Sequence, residues 1–491
     1  MSFKLTTLGE YAKVQGGYAY RSTDFSESGY YRVLKIKNVR HSTVDYSETY
    51  FINEAIAKET IDWKTKEGDI LISMTGSGPN APQSLVGRVA RIWSNEPEAW
   101  INQRVGKIVI KQENSIHPDF LFYLLSSDKS RNYLVSNSSG SANQANISGK
   151  IIESVPCPKV DYKKSAEIAK ILRELDQKII INIKINQTLE QIAQAIFKSW
   201  FVDFEPTRAK VIAKQKGGGE ETQSLAAQAI LCGAITLADI DTLSNESSSL
   251  QSALSNLIHA KLKVQNDDSH NNSWSAKKLI STAELFPNEL VDSDLGNIPE
   301  GWSVCDLSEV SHLNQLSWTK RNAPNYISYV DLANTKNGVI ESTQQFTWEE
   351  APSRARRVLS KGDTIIGTVR PGNRSFAFIG ELDKQLTAST GFAVLTPKKP
   401  EYIEFVYLLA TSDKNIDRLT HLADGGAYPA VRPEVVTELN FVLAHDDLIN
   451  VFSGLVSPIF KKRQINLEDN ALLASLRDTL LPKLLNGILC Y

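Results

Sequence analysis

The 491-residue sequence lacks the short motifs that mark common nucleotide-dependent and metal-dependent enzymes. It contains no G-x-G-x-x-G, no G-x-x-x-x-G-K-[ST] and no H-E-x-x-H, and it lacks the Asn/Asp-Pro-Pro-aromatic tetrapeptide typical of amino-methyltransferases. Gly149-Lys150 has neither the upstream glycine spacing nor the following hydroxyl of a phosphate loop. We therefore expect no catalytic residue, no cofactor and no metal site, so that this chain alone is not an enzyme.

Cysteine and long apolar runs are also scarce. The four cysteines, Cys157, Cys232, Cys305 and Cys490, form no C-x-x-C pair, which argues against a zinc site or disulfide framework and fits a reducing, cytoplasmic setting. No segment approaches the apolar length of a membrane span, and Met1 leads into a polar stretch without a signal-peptide core. The net charge of −2 argues against binding nucleic acid by bulk electrostatics, but it is compatible with local basic surfaces.

One uninterrupted stretch, from about Ser165 to Phe204, predicts a coiled-coil helix. Apolar residues recur at alternating steps of four and three, with no Pro or Gly between them, and Asn182 and Asn186 continue the rhythm through the middle. The apolar seam residues are Ile168, Leu172, Leu175, Ile179, Leu189, Ala193, Ile196 and Trp200. At about 1.5 Å per residue the helix would be roughly 60 Å long, which requires a partner helix.

The stretch from Asp447 to Leu485 repeats this pattern and supplies the partner. Ile185-Asn186 matches Ile465-Asn466 at a shift of 465 − 185 = 280 residues, which indicates an internal duplication. The corresponding seam residues are Leu448, Phe452, Leu455, Ile459, Lys462, Asn466, Asp469, Leu473, Leu476 and Leu480. The central amides allow two interpretations. They are either a buried register device that penalises sliding, or hydrated residues of an open seam.

The segments in front of the two long helices also repeat. Gly68-Asp69 is matched by Gly362-Asp363, and FLFYLLSSDK at Phe120–Lys129 is matched by FVYLLATSDK at Phe405–Lys414. Pro118–Leu134 is predicted to be one helix. We therefore predict two mixed α/β heads at residues 1–157 and 299–444, long helices at 158–205 and 445–491, and an irregular connector at 206–298 with one or two helices.

The apolar ends of the predicted helices carry more side-chain surface than one partner helix could cover. These residues are Phe197, Trp200, Phe201 and Phe204 on the first helix and Leu480, Leu481 and Leu484 on the second. They either form docking surfaces for other subunits or pack against the heads of the same chain.

Four segments resemble the specificity (S) subunit of type I restriction–modification systems. They are GGYAYRSTDF at Gly16–Phe25, FKSWFVDFEPTRAK at Phe197–Lys210, ELFPNELVDSDLGNIPEGW at Glu284–Trp302 and LRDTLLPKLLNG at Leu476–Gly487. The resemblance implies an α+β fold in which two mixed α/β target-recognition domains are joined by two long antiparallel coiled-coil helices, with pseudo-two-fold symmetry. The implied partners are double-stranded DNA, two methyltransferase (M) subunits and restriction (R) subunits, with no membrane.

Two unlike heads held apart by a rigid spacer suit the recognition of two short DNA sites. DNA rises about 3.4 Å per base pair, so we expect the two half-sites to lie about one helical turn apart. They should differ in sequence and flank a gap of fixed length that neither head reads. A second hypothesis is a coiled-coil scaffold that joins two heads without binding DNA. A self-contained methyltransferase or nuclease is disfavoured by the missing motifs.

Base recognition needs directional donors and acceptors, such as Arg for guanine and Asn or Gln for adenine, although Lys and Arg more often contact phosphates. For any single residue the alternative is a solvated surface side chain. In the first head the candidates are Tyr20, Arg21, Lys35, Lys37, Arg40, Ser77, Asn80, Gln83, Ser141, Asn143 and Gln144. In the second head they are Arg354, Arg356, Arg357, Arg370, Asn373, Arg374, Tyr428 and Arg432, and the predicted spacer-register residues are Asn182, Asn186 and Asn466.

Overall fold

Two separate stretches of the chain make up the first of two structural units. A computed structural model describes residues 3–77, 86–141, 144–243, 247–268, 275–381, 385–423, 426 and 429–488. The first unit comprises Met1–Asn182 and Glu468–Tyr491, and the second comprises Ile183–Leu467. Each of the two long helices therefore contributes residues to both units.

The strands of the first unit form two main sheets. A four-stranded sheet has the order β2-β9-β5-β7, and a three-stranded sheet has the order β4-β3-β8, in which β3 and β8 are parallel. The strands are β1 (Leu5–Thr7), β2 (Ala12–Gly16), β3 (Tyr31–Leu34), β4 (Tyr50–Ile52), β5 (Ile70–Ser73), β6 (Thr75–Gly76), β7 (Val89–Arg91), β8 (Ala99–Ile101), β9 (Val105–Ile110), β10 (Ser139–Ser141), β11 (Gln144–Asn146) and β12 (Pro156–Pro158).

Short helices pack against the two main sheets of the first unit. They are α1 (Glu54–Glu59), α2 (Pro118–Ser126), α3 (Asp128–Ser136) and α4 (Gly149–Glu153). The prediction of a single helix over Pro118–Leu134 is wrong, because Ser127 is extended and its hydroxyl oxygen accepts the N–H of Ser130 at 3.3 Å. A serine that caps a new helix in this way ends the one before it. The apolar face of α2 is buried in the core of the unit, as Phe120 and Tyr123 show.

Eight strands of the second unit form two four-stranded sheets, and the other described strands form two-stranded pairs. One has the order β16-β25-β22-β23, and the other has the order β20-β17-β24-β21 with β17 and β24 parallel. The strands are β13 (Leu290–Val291), β14 (Ile298–Pro299), β15 (Ser303–Asp306), β16 (Ser311–Leu313), β17 (Tyr326–Val330), β18 (Thr335–Lys336), β19 (Val339–Ile340), β20 (Gln344–Thr347), β21 (Ala355–Val358), β22 (Thr364–Gly367), β23 (Phe376–Phe378), β24 (Leu386–Ser389), β25 (Phe392–Pro397) and β26 (Asn440–Leu443).

Within its described residues, the connector contains five helices rather than the one or two that we expected. They are α6 (Glu205–Gln215), α7 (Glu220–Leu231), α8 (Leu237–Thr242), α9 (Ser247–Asp268) and α10 (Ala276–Glu284). Much of their packing uses small residues, since Ala226, Ala227 and Ala229 are buried together with Leu250 and Leu254. Alanine gives only a weak apolar periodicity, which explains why the helical pattern looked faint.

The helices of the second head are α11 (Ile403–Ala410), α12 (Asp413–Leu422) and α13 (Pro433–Thr437).

The two heads share one strand connectivity, which confirms the predicted repeat. The order β2-β9-β5-β7 in the first unit corresponds element by element to β16-β25-β22-β23 in the second. The turns before the central strands β5 and β22 also match, because Gly68 and Gly362 both have a φ of 87°. Glycine is favoured at this left-handed conformation. The aspartates that follow, Asp69 and Asp363, are both buried.

The predicted long helices are present as α5 (Tyr162–Phe201) and α14 (Asp446–Leu485), each of 40 residues. In the first unit Asn182 bonds to Asn470 and Asp176 bonds to Arg477. In the second unit Asn186 bonds to Asn466, and Glu190 pairs with Arg463. Within each unit, higher numbers on α5 pair with lower numbers on α14. The two helices therefore run antiparallel, as predicted.

The seam of α14 differs from the prediction at several positions. Lys462, Asp469 and Leu476 are exposed, whereas Arg463 is buried and Arg477 is largely so. The buried apolar positions near Leu455 and Ile459 are Val456 and Phe460. At these positions the seam is shifted by one residue, and Arg463 and Arg477 pair there with carboxylates on α5. Leu448, Phe452 and Asn466 are buried as predicted. The described residues include no helix that is long and apolar enough to cross a membrane.

The aromatic surplus at the end of α5 is packed inside the second unit. Phe197, Trp200, Phe201 and Phe204 are all buried, and the ring of Phe201 lies 5.0 Å from that of Phe452. In the first unit Leu481 and Leu484 are likewise buried, and Leu480 packs against the same core. The interpretation of these residues as docking surfaces is therefore wrong, and packing within the chain is confirmed.

Candidate nucleic-acid interface

In the first head, the loop that begins at Thr75 and carries the candidate Ser77 meets the amide-rich loop that carries the candidate Gln144. They meet at the end of the central strand β5. β6 pairs antiparallel with β11, so that Thr75 lies opposite Asn146 and Gly76 lies opposite Ala145. The Thr75 hydroxyl also donates to Asn146 Oδ1 at 2.9 Å. The loop that begins at Thr75 and the amide-rich loop therefore form one surface, on which Gln144 is exposed.

A turn that sequence reasoning missed joins the same surface. The backbone N–H of Met74 donates to the carbonyl oxygen of Arg104 at 2.9 Å, which places the turn before β9 against the first loop. Arg104 and Gln103 are exposed there. The Asn102–Arg104 turn carries a donor of the kind that contacts phosphates and guanine, and this composition was the signal available in the sequence.

The second head builds the corresponding junction at the end of β22. Val369 pairs with Ala430 in an isolated antiparallel bridge, and the Arg370 N–H donates to the carbonyl of Pro429 at 2.7 Å. The Thr368 N–H donates to Gly391 at 2.8 Å, which matches the bond made by Met74 in the first head. Both heads therefore bring three segments together at the same place in the fold.

Two arginines of this junction adopt an unusual backbone conformation. Arg370 and Arg374, which flank the 3₁₀ turn Pro371–Asn373, have φ values of 50° and 57°. Left-handed φ is uncommon for residues other than glycine, and such strain concentrates at functional sites. Arg370 and Asn373 are exposed, as is Arg432 on the neighbouring loop.

Arg374 is held in place from two sides. Its guanidinium pairs with Asp413 at 2.8 Å, and its Nε donates to Asn337 Oδ1 at 3.0 Å. Asn337 and Gly338 form the two-residue loop of the β18–β19 hairpin, and both have positive φ. Asn-Gly is the sequence that such a loop favours, so this hairpin was readable from the sequence and was missed.

The three arginines around β21 have distinct surroundings. Arg354 is exposed, its Nε donates to the Tyr329 hydroxyl at 3.1 Å, and its carbonyl accepts the N–H of Thr390 beside the junction. Arg356 stacks over Trp348 at 4.4 Å. Arg357 donates to the Ser317 hydroxyl at 3.3 Å, and burial lowers its pKa. Arg354 is thus the one of these three that the backbone links to the junction.

The basic residues of the first head lie near acidic or aromatic groups. Lys37 pairs with Glu48 at 3.1 Å and Arg40 with Asp45 at 3.3 Å. Lys35 Nζ lies 3.6 Å from the centre of the Tyr50 ring and 3.9 Å from that of Phe25. Burial and then the charge of Lys37 lower the pKa of Lys35. These contacts orient the side chains but leave Lys37 and Arg40 exposed.

The remaining predicted residues fall into three groups. Tyr20 is buried and its hydroxyl lies 3.0 Å from that of Thr60, so we remove it from the candidate interface. Arg21 is exposed beside it, and Ser77 is half-buried at the first junction. The predictions that lie outside the described residues or side chains concern Asn80, Gln83, Ser141, Asn143 and Tyr428.

The central amides of the long helices are buried and paired. Asn182 and Asn466 are each 1% exposed and Asn186 is 9% exposed. Asn182 donates to Asn470 at 2.9 Å in the first unit, and Asn466 donates to Asn186 at 2.8 Å in the second. The interpretation of these three as hydrated residues of an open seam is therefore wrong. Their burial supports the register hypothesis.

Comparison with known proteins gives matches over most of the chain. Residues 2–191 match the family model described as the type I restriction modification DNA specificity domain. The HindI specificity subunit of Haemophilus influenzae is 27% identical over 437 residues, which cover 86% of this chain and 86% of that protein. The MjaIX specificity subunit of Methanocaldococcus jannaschii is 22% identical over 395 residues, covering 79% of this chain and 72% of that protein.

Two solved structures of specificity subunits align with most of the chain. The S subunit of a type I restriction–modification system from M. genitalium is 14% identical, covers 98% of this chain and 96% of its own, and gives a TM-score of 0.46. The HsdS subunit from Thermoanaerobacter tengcongensis is 12% identical, with 99% and 97% covered and a TM-score of 0.29. Both TM-scores are below 0.5.

The matched region takes in the first head and most of α5. This part of the chain matches the type I restriction modification DNA specificity domain, and the second head repeats its strand order. The HindI subunit matches 86% of the chain, so the resemblance extends well beyond the residues that the family model matches. Over most of its length the chain is similar to the specificity subunits of type I restriction–modification systems.

Proposed function

We propose that each head reads one short half-site of an asymmetric DNA target, and that the two half-sites flank an unread gap of fixed length. The main support is that the same three-segment junction occurs in both heads but carries different side chains. In the first head the described part of the junction presents Gln103, Arg104 and Gln144. In the second head it presents Arg370 and Arg374.

The different side chains at the two junctions support half-sites that differ in base sequence. Amide side chains suit the donor and acceptor edge of adenine, and arginine suits the two acceptors of guanine. Some of these residues will position the duplex through phosphates instead, because such contacts outnumber base contacts. The two heads together therefore favour a bipartite target rather than a palindrome.

The paired helices supply the fixed gap in this proposal. Each amide pair in the seam is satisfied in one register, and sliding one helix by a turn would leave buried polar groups without partners. The second unit has the pair formed by Asn186 and Asn466, and the first unit has the pair formed by Asn182 and Asn470. The register of the helix pair would then determine which gap length the heads accept.

We further propose that the chain works in the cytoplasm with two methyltransferase subunits and with restriction subunits, and that it is not itself catalytic. The similarity to specificity subunits supports these partners, and the missing catalytic motifs support the division of labour. Among the described residues there is no group of three or more His, Cys, Asp or Glu side chains that could hold a metal ion.

The proposal can be tested by footprinting the complex of this chain with its methyltransferase subunits. We expect two short protected blocks on either side of an indifferent gap. Replacing residues 299–444 by the second head of another specificity subunit should change one block and leave the other intact. The unmodified complex on the same DNA serves as the control.

Four results would each contradict part of this proposal. Protection that ignores sequence, or no retention of DNA with the methyltransferase present, would favour the scaffold hypothesis. A change in both blocks after the exchange of one head would mean that the heads do not read independently. Methyl transfer by the purified chain alone would overturn the non-catalytic assignment.

A further inference from the structure

A buried polar network in the second unit joins the second head to both long helices. The Tyr407 hydroxyl of α11 donates to Glu190 Oε1 on α5 at 2.6 Å, and Arg463 of α14 pairs with Glu190 Oε2. Tyr407 is fully buried and Arg463 is nearly so. Burial, and then the Glu190 charge, raise the pKa of Tyr407, so its hydroxyl stays protonated and acts as the donor.

The β18–β19 hairpin of the second head lies directly against this network. A Cβ atom at Gly338 would lie 2.7 Å from Tyr407 Oη and 3.3 Å from both Arg463 Nη2 and Glu190 Oε2. Gly338 also has a φ of 82°, which other residues rarely adopt. Only glycine therefore lets the hairpin loop approach the three polar groups so closely.

The same loop holds an arginine of the candidate nucleic-acid interface. The residue before Gly338 is Asn337, whose N–H donates to the Arg374 carbonyl at 2.9 Å and whose Oδ1 accepts from Arg374 Nε at 3.0 Å. The Gly338 N–H donates to the Phe376 carbonyl at 2.9 Å. Gly338, which lies against the polar network, therefore directly follows Asn337, which holds the side chain of Arg374.

We propose that Glu190, Tyr407 and Arg463 are positioning residues for Arg374, acting through the Asn337-Gly338 loop. This inference rests on the proposed function, in which Arg374 contacts DNA. The helices then do more than separate the heads, because polar groups of their seam set the orientation of a side chain that reads the second half-site. The loop transmits this effect through direct contacts, with no change of conformation required.

The first unit provides a matched control. There the Tyr123 hydroxyl donates to Asp176 Oδ2 at 2.8 Å, and Arg477 donates to Asp176 Oδ1 at 2.7 Å. The chemistry is the same, and Tyr123 and Tyr407 occupy matching helices in the two heads. In the first unit, however, the three side chains line a cavity of about 490 Å³.

The test is a double-mutant cycle on the complex with the methyltransferase subunits. Affinity is measured for the cognate duplex and for duplexes with single base-pair changes in either half-site. Tyr407→Phe should lower discrimination at the second half-site by about three- to tenfold, because a hydrogen bond to a charged group is lost, and leave the first unchanged. In an Arg374→Ala background, Tyr407→Phe should have no further effect.

Glu190→Gln is the second variant, because it keeps the side-chain size and removes the charge. Like Tyr407→Phe, it should lower discrimination at the second half-site. The unfolding midpoint of each variant is measured alongside, so that a loss of stability is seen separately. Tyr123→Phe should leave discrimination at the second half-site unchanged.

Additive effects of Tyr407→Phe and Arg374→Ala would overturn the positioning role. So would equal losses at both half-sites, or the same loss at the second half-site from Tyr123→Phe. A wild-type complex without any sequence preference would instead refute the proposed function itself.

Discussion

The side-chain amide of Asn466 donates to Oδ1 of Asn186 at 2.8 Å, and Asn186 donates in turn to the backbone carbonyl of Arg463 at 3.1 Å. Both amides are buried between α5 and α14 in the second unit. Asn466 and Asn186 are related by the same 280-residue shift that relates the two helices, so the repeat pairs a residue with its own counterpart. A buried amide pair of this kind specifies register.

Replacing Asn186 and Asn466 by leucine together should raise the stability of the helix pair and lower its register specificity. Leucine removes the free-energy cost of burying the amides. It also removes the penalty that unpaired amides impose on other registers of the helix pair. We expect a higher unfolding midpoint and a target whose gap length varies between sites, measured by methylation-sensitive sequencing of a host that carries the system. A single gap length in the double variant would show that these amides do not set it.

Inserting one heptad beside Asn186 and one beside Asn466 should lengthen the gap. Seven helical residues add about 10 Å, so the gap should grow by up to about three base pairs while both half-sites keep their sequences. The same sequencing experiment reads out both properties. An unchanged gap, or an altered half-site, would mean that the helices do not measure the separation.

Arg370→Ala should affect the second half-site alone. If the side chain contacts a base, discrimination at one position should fall by about 1–3 kcal/mol, and if it contacts a phosphate, affinity should fall uniformly with a shallower salt dependence. The matched control is Lys361→Ala, because Lys361 is exposed and pairs with Glu381. No loss from Arg370→Ala, or an equal loss from Lys361→Ala, would exclude Arg370 from the interface.

Asp119→Ala should strongly destabilise the first unit. The carboxylate is 2% exposed and accepts from Arg91 Nε at 2.6 Å and from Arg173 on α5 at 3.1 Å. Removing it leaves two cations without their buried partner, which costs about 3–5 kcal/mol in denaturant unfolding. Asp128→Ala, which breaks the exposed pair with Arg131, should cost less than about 1 kcal/mol. Similar losses for both variants would refute the argument from burial.

The stability of the second head should fall as pH rises from about 4 to about 6. Burial raises the pKa of Asp363 to about 6 from 3.8, although the Ser360 N–H and the Thr396 hydroxyl act in the opposite direction. The folded state then binds the proton more tightly than the unfolded state in this window, so deprotonation costs at most about 3 kcal/mol. Asp363→Asn should flatten the profile measured by denaturant unfolding. An unchanged slope in that variant would assign the pH dependence to another group.

The long helices and the internal repeat could be derived from the sequence because both depend on local or periodic patterns of residues. Apolar residues spaced alternately four and three positions apart predict a helix. Two copies of the Ile-Asn pair, 280 residues apart, indicate the duplication. The loops at Thr75, Gly140 and Thr368 were also found by composition. These features need no knowledge of which distant residues meet.

The tertiary structure decided which side chains the helices bury and which loops share a surface. Arg463 and Arg477 replaced Lys462 and Leu476 in the seam because carboxylates on α5, far away in the chain, stabilise a guanidinium there. Thr75 meets Asn146 only because β6 pairs with β11. Burial and hydrogen bonding depend on partners that are tens to hundreds of residues away, whereas helical periodicity depends on neighbours, and this is why only the latter could be read in advance.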